Sequence, residues 1–326
     1  MNIMPKVSIV IPAYNAMTYL PETVASVFQQ SFEDYEVIII NDGSTDDIES
    51  WFSQFNHSKT RLITQENQGL SGARNTGILN ATGEYVALLD ADDLWASTKL
   101  EKQVKLLDAS PEVGLIYTWM ALIDEKGQPT GRMFSAEDEG KIWEKLLEFN
   151  VVGCGSVPLI RRSCFDTVGL FDRNLRSFVE DWDLWLRMAP HFDFKVVKEP
   201  LVYYRQLPSS ASRNWEAMAV SYKIVLDKNF TNVPKEKQYL KAKSNGFINL
   251  YLAWKPLQGL TPLPKIAAEY QRKAVRQYPK IIFTQEFWRL SLIIFLSQSL
   301  GHNRYKELIS FFYILRQRFV QVSKPE

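Results

Sequence analysis

The chain has 326 residues, with 38 Lys and Arg against 37 Asp and Glu, a formal net charge of +1 and 46% hydrophobic residues. That length suits one large α/β domain, or a domain with a helical annex, and the balanced charge leaves no global field to attract nucleic acid, so no nucleic-acid partner is expected. Only Cys154 and Cys164 are present, which argues against a disulfide framework and fits a reducing compartment.

At the start, Met1 to Lys6 leads into only five apolar or small residues before Pro12. That is too short for the apolar core of a signal peptide, so a cytoplasmic protein is expected. Val7-Ser8-Ile9-Val10-Ile11 reads as a strand stopped by Pro12, and Tyr19 to Gln30 carries Leu20, Val24, Val27 and Phe28 at helical spacing. Glu36 to Ile40 is a second buried strand, ending at Asn41-Asp42-Gly43-Ser44 before a helix from about Thr45 to Phe55. Arg61 to Thr64 gives a third strand, Leu70 to Asn80 a third helix, and Tyr85 to Leu89 a fourth strand, with a further helix starting near Ser97. This alternation predicts a Rossmann-like α/β fold with a mostly parallel central sheet flanked by helices.

Ligands of such sheets collect beyond the carboxyl ends of the strands. Those positions hold Pro12, Ala13, Tyr14 and Asn15; Asn41 and Asp42; Gln65 to Gly69; and Asp90, Ala91 and Asp92. In Leu88-Leu89-Asp90-Ala91-Asp92-Asp93 an apolar run ends in three carboxylates. Two of them one residue apart at a strand end point roughly the same way, so solvent, a proton or a hard divalent cation must relieve their repulsion. An Asx-rich turn capping the next helix accounts for the same residues.

The series Val7 to Asn15, Asn41-Asp42-Gly43-Ser44-Thr45-Asp46, Asn67-Gln68-Gly69 with Ala73-Arg74-Asn75-Thr76-Gly77, and Asp90-Ala91-Asp92-Asp93 resembles glycosyltransferase family 2, the inverting GT-A enzymes. A fifth element, Phe178-Val179-Glu180-Asp181-Trp182-Asp183-Leu184-Trp185-Leu186-Arg187, resembles that family's acceptor-side motif, and the likeness covers about residues 5 to 210. The resemblance implies a GT-A catalytic domain over 1–213, with a nucleotide half at about 1–110 and an acceptor half at about 111–213, and an all-helical region over 214–326. It implies an inverting transfer from a nucleotide-diphosphate sugar, by default a UDP-sugar, to a hydroxyl on a glycan or lipid-linked saccharide, as in polysaccharide biosynthesis.

The roles it implies agree with the chemistry of the residues. Pro12, Ala13, Tyr14 and Asn15 surround the base, where an aromatic face suits stacking, and Asp42 accepts from a ring N–H. Arg74, beside Gly69 and Gly72, faces the diphosphate, which backbone N–H groups at a helix start and a guanidinium suit. Asp90 and Ala91 lie on the ribose side, and Asp92 is the DXD carboxylate ligating Mg²⁺ or Mn²⁺. Asp181 is the base, with Glu180 beside it and Trp182 a candidate acceptor contact. Crowding among Glu180, Asp183, Trp182 and Trp185 should raise at least one carboxyl pKa. The same segment also reads as an amphipathic helix with core tryptophans and acids at its N-terminus.

One departure stands out. The family often carries a His a few residues after a Tyr-Arg pair, and here the position falls on Leu207 in Tyr203-Tyr204-Arg205-Gln206-Leu207-Pro208-Ser209-Ser210. Metal retention is then expected to rest on Asp92 and the diphosphate, with Arg205 or the serines closing over the site; His191 is expected in the surface or core. The Gln-x-x-Arg-Trp signature of processive synthases is missing, so single addition is expected.

From about Trp215 the chain reads as helices over Ala217 to Phe230, Lys235 to Trp254, Pro264 to Tyr278, Glu286 to Leu300 and Tyr305 to Val320, with prolines at the breaks. The apolar run Leu290 to Leu296 falls far short of the ~20 residues of a membrane span. The aromatic and basic last segment suits either peripheral contact with an anionic leaflet or packing on the catalytic domain or a second subunit in a homo-oligomer. Two other function classes fit less well. A different nucleotide transferase would need a basic phosphate loop after the first strand, and a non-catalytic nucleotide-sugar-binding protein would lose the Glu180-Asp181 pair. No Gly-x-Gly-x-x-Gly follows the first strand, which excludes a Rossmann dehydrogenase.

Overall fold

A computed structural model describes residues 4–55, 57–175, 179–207, 214–231, 233–257 and 262–300. The chain divides into two compact units; among the described residues, one comprises 4–143 with 151–207 and the other 144–150 with 214–300.

The first unit begins as the periodicity predicts: β1 (Val7–Ala13), α1 (Leu20–Phe28), β2 (Tyr35–Asp42), α2 (Ile48–Gln54), β3 (Thr60–Gln65), α3 (Gly69–Asn80) and β4 (Tyr85–Leu88). After it come β5 (Leu94–Trp95), α4 (Lys99–Asp108), β6 (Val113–Ile123), β7 (Pro129–Phe134), α5 (Trp143–Glu148), which begins at the junction of the two units, β8 (Leu159–Arg161), α6 (Cys164–Val168), α7 (Glu180–Met188) and β9 (Asp193–Arg205). The sheet runs β3-β2-β1-β4-β8-β6-β9-β5, with β7 beside β6. Strands β1 to β4 pair in parallel, β6 pairs with β9 in parallel, and the remaining pairs are antiparallel. In β1, β2 and β4 nearly every side chain is buried, as a parallel sheet covered on both faces requires.

Two expectations are corrected in detail. The first strand continues through Pro12, which is in register with Ile40 of β2, whereas β4 accompanies β1 only from Val7 to Val10. Beyond Val10 β4 no longer pairs with β1, so the missing proline N–H breaks no ladder bond with it. The second helix starts at Ile48 rather than near Thr45, because Thr45 and Asp46 bind across to the β1 loop: Thr45 N–H donates to Asn15 Oδ1 at 2.8 Å and Met17 N–H to Asp46 Oδ2 at 2.9 Å.

The second unit contains α8 (Trp215–Asn229), α9 (Tyr239–Trp254), α10 (Pro264–Gln277) and α11 (Gln285–Ser299). Leu250, Ala253, Ala267, Ala274, Ile281, Leu290 and Ile294 form its apolar core. The expected helix over Tyr305 to Val320 lies outside the described residues. Among the described residues no helix is long and apolar enough to cross a membrane.

Helix α3 lies against β1 through Gly77: a Cβ there would come within 3.0 Å of Val10 Cγ2 and nearer still to Cγ1. Alanine gains ~1 kcal/mol over glycine in a helix interior, but forcing a methyl into a packed contact costs ~1–3 kcal/mol. Gly77→Ala should therefore destabilise the native chain yet stabilise a Val10→Ala background, a change of sign that urea unfolding of the four proteins reads directly.

Candidate active site

The carboxyl ends of β1, β2 and β4 bring the sequence candidates to one edge of the sheet. Pro12 and Ala13 are buried within β1, and Tyr14 follows with its side chain 56% exposed. Asn15 has a left-handed backbone, φ 50°, which asparagine tolerates better than most residues. Its side chain is committed to holding the β2 loop, since Oδ1 accepts from Thr45 while its own N–H donates to Ser44 Oγ at 3.0 Å. Asp42 is buried at the end of β2; its Oδ1 accepts from Gln65 Nε2 at 2.7 Å and from Gln68 N–H at 2.9 Å, and its Oδ2 has no partner among the described residues. Gly69 opens α3 at φ 75°, a conformation that favours glycine.

Arg74 is the centre of the arrangement. Its fully buried guanidinium donates from Nη2 to Asp90 Oδ1 and from Nη1 to Glu180 Oε1, each at 2.6 Å. The guanidinium thus spans two carboxylates, one at the end of β4 and one at the first turn of α7. Burial opposes its charge, but Asp90 and Glu180 outweigh that and hold it firmly protonated. The next turns of α3 reinforce the connection. Asn75 exchanges two 2.9 Å hydrogen bonds with the backbone of Phe171, Ser71 donates to the Leu175 carbonyl, and the Arg74 guanidinium lies 5.3 Å from the Phe171 ring centre.

Between β4 and β5 the three acids have different partners. Asp93 is buried and accepts from Ser156 Oγ at 2.5 Å and from Arg205 N–H at 2.9 Å, while Ser156 Oγ accepts from Asp90 N–H at 3.0 Å. The Ala91 carbonyl accepts from Thr23 of α1 at 2.9 Å. Asp92 differs: its carboxylate accepts from no other residue among the described ones, only from its own N–H, and burial followed by the Asp90 charge pushes it up to about 6. Among the described residues no group of three or more His, Cys, Asp or Glu is placed to hold a metal. A largely desolvated carboxylate with a spare oxygen, beside a second carboxylate, fits the donor set of a hard cation that takes its remaining ligands from phosphate and water.

Asp181 is half-buried beside Glu180. Burial, then the Glu180 charge, raises it to about 7 despite the opposing Arg74 charge. The pKa elevation expected from crowding is therefore present, although Trp182 and Trp185 contribute as core: both are buried.

Two candidates are more enclosed than the sequence suggests. Trp182, a candidate acceptor contact, has no open face. Arg205, a candidate lid, is a buried strut: it donates to the Asp92 carbonyl at 2.8 Å, the Glu125 carbonyl at 3.1 Å and Glu22 Oε2 at 2.7 Å, and lies 4.8 Å from the Tyr19 ring centre. His191 is exposed, Leu207 follows β9, and Phe178, Ser209 and Ser210 lie outside the described residues. The residues that sequence reasoning missed are Ser156, Glu22 and Gly155. A Cβ at Gly155 would lie 2.9 Å from Arg74 Cζ, so any larger residue would push the guanidinium from this position. Their signal is faint: the run of small residues Gly153-Cys154-Gly155-Ser156.

A sheet with carboxylates gathered at the carboxyl edge of its parallel strands, followed by a helical unit, defines a GT-A-like α/β protein. The family model "Glycosyl transferase family 2" matches residues 8–169. TuaG of Bacillus subtilis (strain 168), a glycosyltransferase provisionally assigned to teichuronic acid biosynthesis, is 33% identical over 221 residues, which cover 66% of this chain and 85% of TuaG. The chain belongs to glycosyl transferase family 2. It spans 44% and 26% of the length of two uncharacterized glycosyltransferases it also matches, from Rickettsia felis and Rickettsia bellii. Two solved structures share the fold. The mannosyltransferase PcManGT of Pyrobaculum calidifontis, in complex with GDP-Man and Mn²⁺, has TM-score 0.57 at 17% identity, covering 97% of this chain and 86% of its own. S. aureus TarS 1-349, in complex with UDP-GlcNAc, has TM-score 0.54 at 16% identity, covering 88% and 92%.

Because removing one partner strands buried charge, Arg74→Met should cost ~3–5 kcal/mol of stability near pH 8. Urea unfolding of the native and variant chains measures the loss.

Proposed function

We propose that the chain is an inverting glycosyltransferase that moves a sugar from a nucleotide-diphosphate sugar to a hydroxyl acceptor. The observation that carries this reading is the Arg74 bridge, which ties Asp90 to Glu180 and so gathers into one cluster the two raised carboxylates beside them, Asp92 and Asp181. Each has an environment suited to a different task. Asp92 would hold Mg²⁺ or Mn²⁺, which when bound neutralises negative charge on a departing diphosphate.

The chain's own groups account for the rest. Asp181, at the first turn of α7, takes the proton of the attacking hydroxyl, and a carboxylate raised to about 7 is a stronger base than an ordinary one while about half of it is ionised at neutral pH. Glu180 is a positioning residue, because its carboxylate is tied to Arg74. Pro12, Ala13 and Tyr14 line the base region, and Asp42 Oδ2 is left to accept a ring N–H, as uracil would offer. The likeness to a UDP-GlcNAc-bound fold supports a UDP-sugar as first choice, and the GDP-Man-bound fold supports GDP-sugars as the second to test. The Mn²⁺ in the latter supports a divalent cation. The relation to TuaG supports a glycan or lipid-linked acceptor in polysaccharide synthesis.

Asp181→Asn should lower kcat by ~10²–10⁴ while UDP affinity, read by calorimetry, changes little. Since only the ionised form accepts a proton, the native rate should climb as pH rises through about 7; a flat profile would remove the assigned base. Release of nucleoside diphosphate should stop on adding excess chelator and return with Mn²⁺ in the native chain but not in Asp92→Ala.

A further inference from the structure

Helix α11 has apolar residues on both sides. Leu290 and Ile294 enter the core of the second unit, whereas Trp288, Leu292 and Phe295, spaced along the opposite stripe, are 64%, 57% and 63% exposed. Phe283, just before the helix, is 84% exposed. Single exposed apolar residues are ordinary, but four large ones on a helix and its entry turn call for an occupant. The neighbouring helix α10 is linked to α11 by Gln271, whose Nε2 donates to Ser291 Oγ at 2.7 Å. It carries exposed Lys265, Arg272 and Arg276 at one-face spacing, with Lys273 and Lys280 also exposed. Between residues 264 and 300 there are six cations and two acids, and one of those acids, Glu286, is paired with Arg289 at 3.0 Å.

We propose that this face docks on an anionic lipid bilayer, with Phe283, Trp288, Leu292 and Phe295 entering the headgroup boundary and the α10 cations meeting acidic lipid. Charge selects this occupant. A second copy would bring the same excess of cations to the contact, and the chain's own residues 301–326 hold five Lys and Arg against two Glu, so neither complements the surface. Anionic headgroups do, and aromatic side chains beside cations are the composition of an interfacial helix. The proposal does not depend on the transfer reaction, since binding is read without donor or acceptor.

The test is co-sedimentation of the full chain with vesicles of phosphatidylcholine alone or mixed with phosphatidylglycerol. The native chain should pellet with the anionic vesicles and be released by salt. Trp288→Ser/Leu292→Ser/Phe295→Ser should lose roughly a hundredfold in partitioning, and Arg272→Gln/Arg276→Gln roughly tenfold. Thermal melting checks that each variant is folded; if the triple variant melts early, the charge variant and Phe283→Ser carry the test. A native chain that stays in the supernatant, or apolar and charge variants that pellet like it, would overturn the proposal. So would a native dimer that the triple variant converts to monomer while vesicles remain unbound, which would give the face to a second copy.

Discussion

A single buried guanidinium carries the architecture of the site. Arg74 leaves α3, the helix packed on β1, and reaches carboxylates contributed by two separate stretches of chain, Asp90 after β4 and Glu180 at the start of α7. Lysine could not replace it, because a single ammonium lacks the two terminal nitrogens that a planar fork presents to two acceptors at once. Two features of the sequence permit the geometry. Gly155 leaves room beside the guanidinium, and Asn75 with Ser71 fastens the backbone of Phe171 and Leu175 to the same face of α3. Without those backbone bonds the α7 segment would have to be placed by the ion pair alone, and burying charges costs about as much as their attraction returns.

The three acids after β4 show how identical side chains acquire different surroundings from their partners. Asp90 has Arg74, Asp93 has Ser156 and the backbone of Arg205, and both are thereby fixed. Arg205 also fixes the carbonyl of Asp92 while leaving its carboxylate without a donor from any other described residue. Position is therefore imposed on Asp92 through its main chain, and its side chain is kept available. Glu22 anchors Arg205 from α1, so the loop is braced by the helix after β1 as well as by the last strand.

Legibility in the sequence followed the range of the interaction. The alternation of strands and helices through β4 could be read because apolar periodicity is local, and the strand-end motifs could be read because turns and ligand loops use a small set of residues. Pro12 misled because the rule that proline ends a strand presumes a neighbour on both sides, and β4 no longer pairs with β1 beyond Val10. Arg205 and Trp182 are more enclosed than the sequence suggests for a different reason. Nothing near them in sequence states that Glu22 and the Glu125 carbonyl will surround one, or that the other will face inward. Burial of a charged or aromatic group is decided by residues far away along the chain, as is the space that Gly155 provides. Family resemblance named residues that the structure brings close together through Arg74, while their partners within that cluster could be read only from the structure.

The clustering has an energetic consequence. Asp92 and Asp181 hold protons up to about 6 and about 7, whereas in the unfolded chain carboxyl groups lose them near 4. Between those limits the folded chain binds more protons than the unfolded one, so its stability declines as pH rises through the window. At neutral pH the cluster is thus under electrostatic load, relieved only in part by Arg74, whose charge two carboxylates already share. A ligand that brings positive charge to Asp92 would remove some of that load and gain affinity by doing so. The same burial and crowding that weaken the fold hold both carboxyl groups up, so the cost in stability and the raised carboxylates that the proposed chemistry would use fall on the same few atoms.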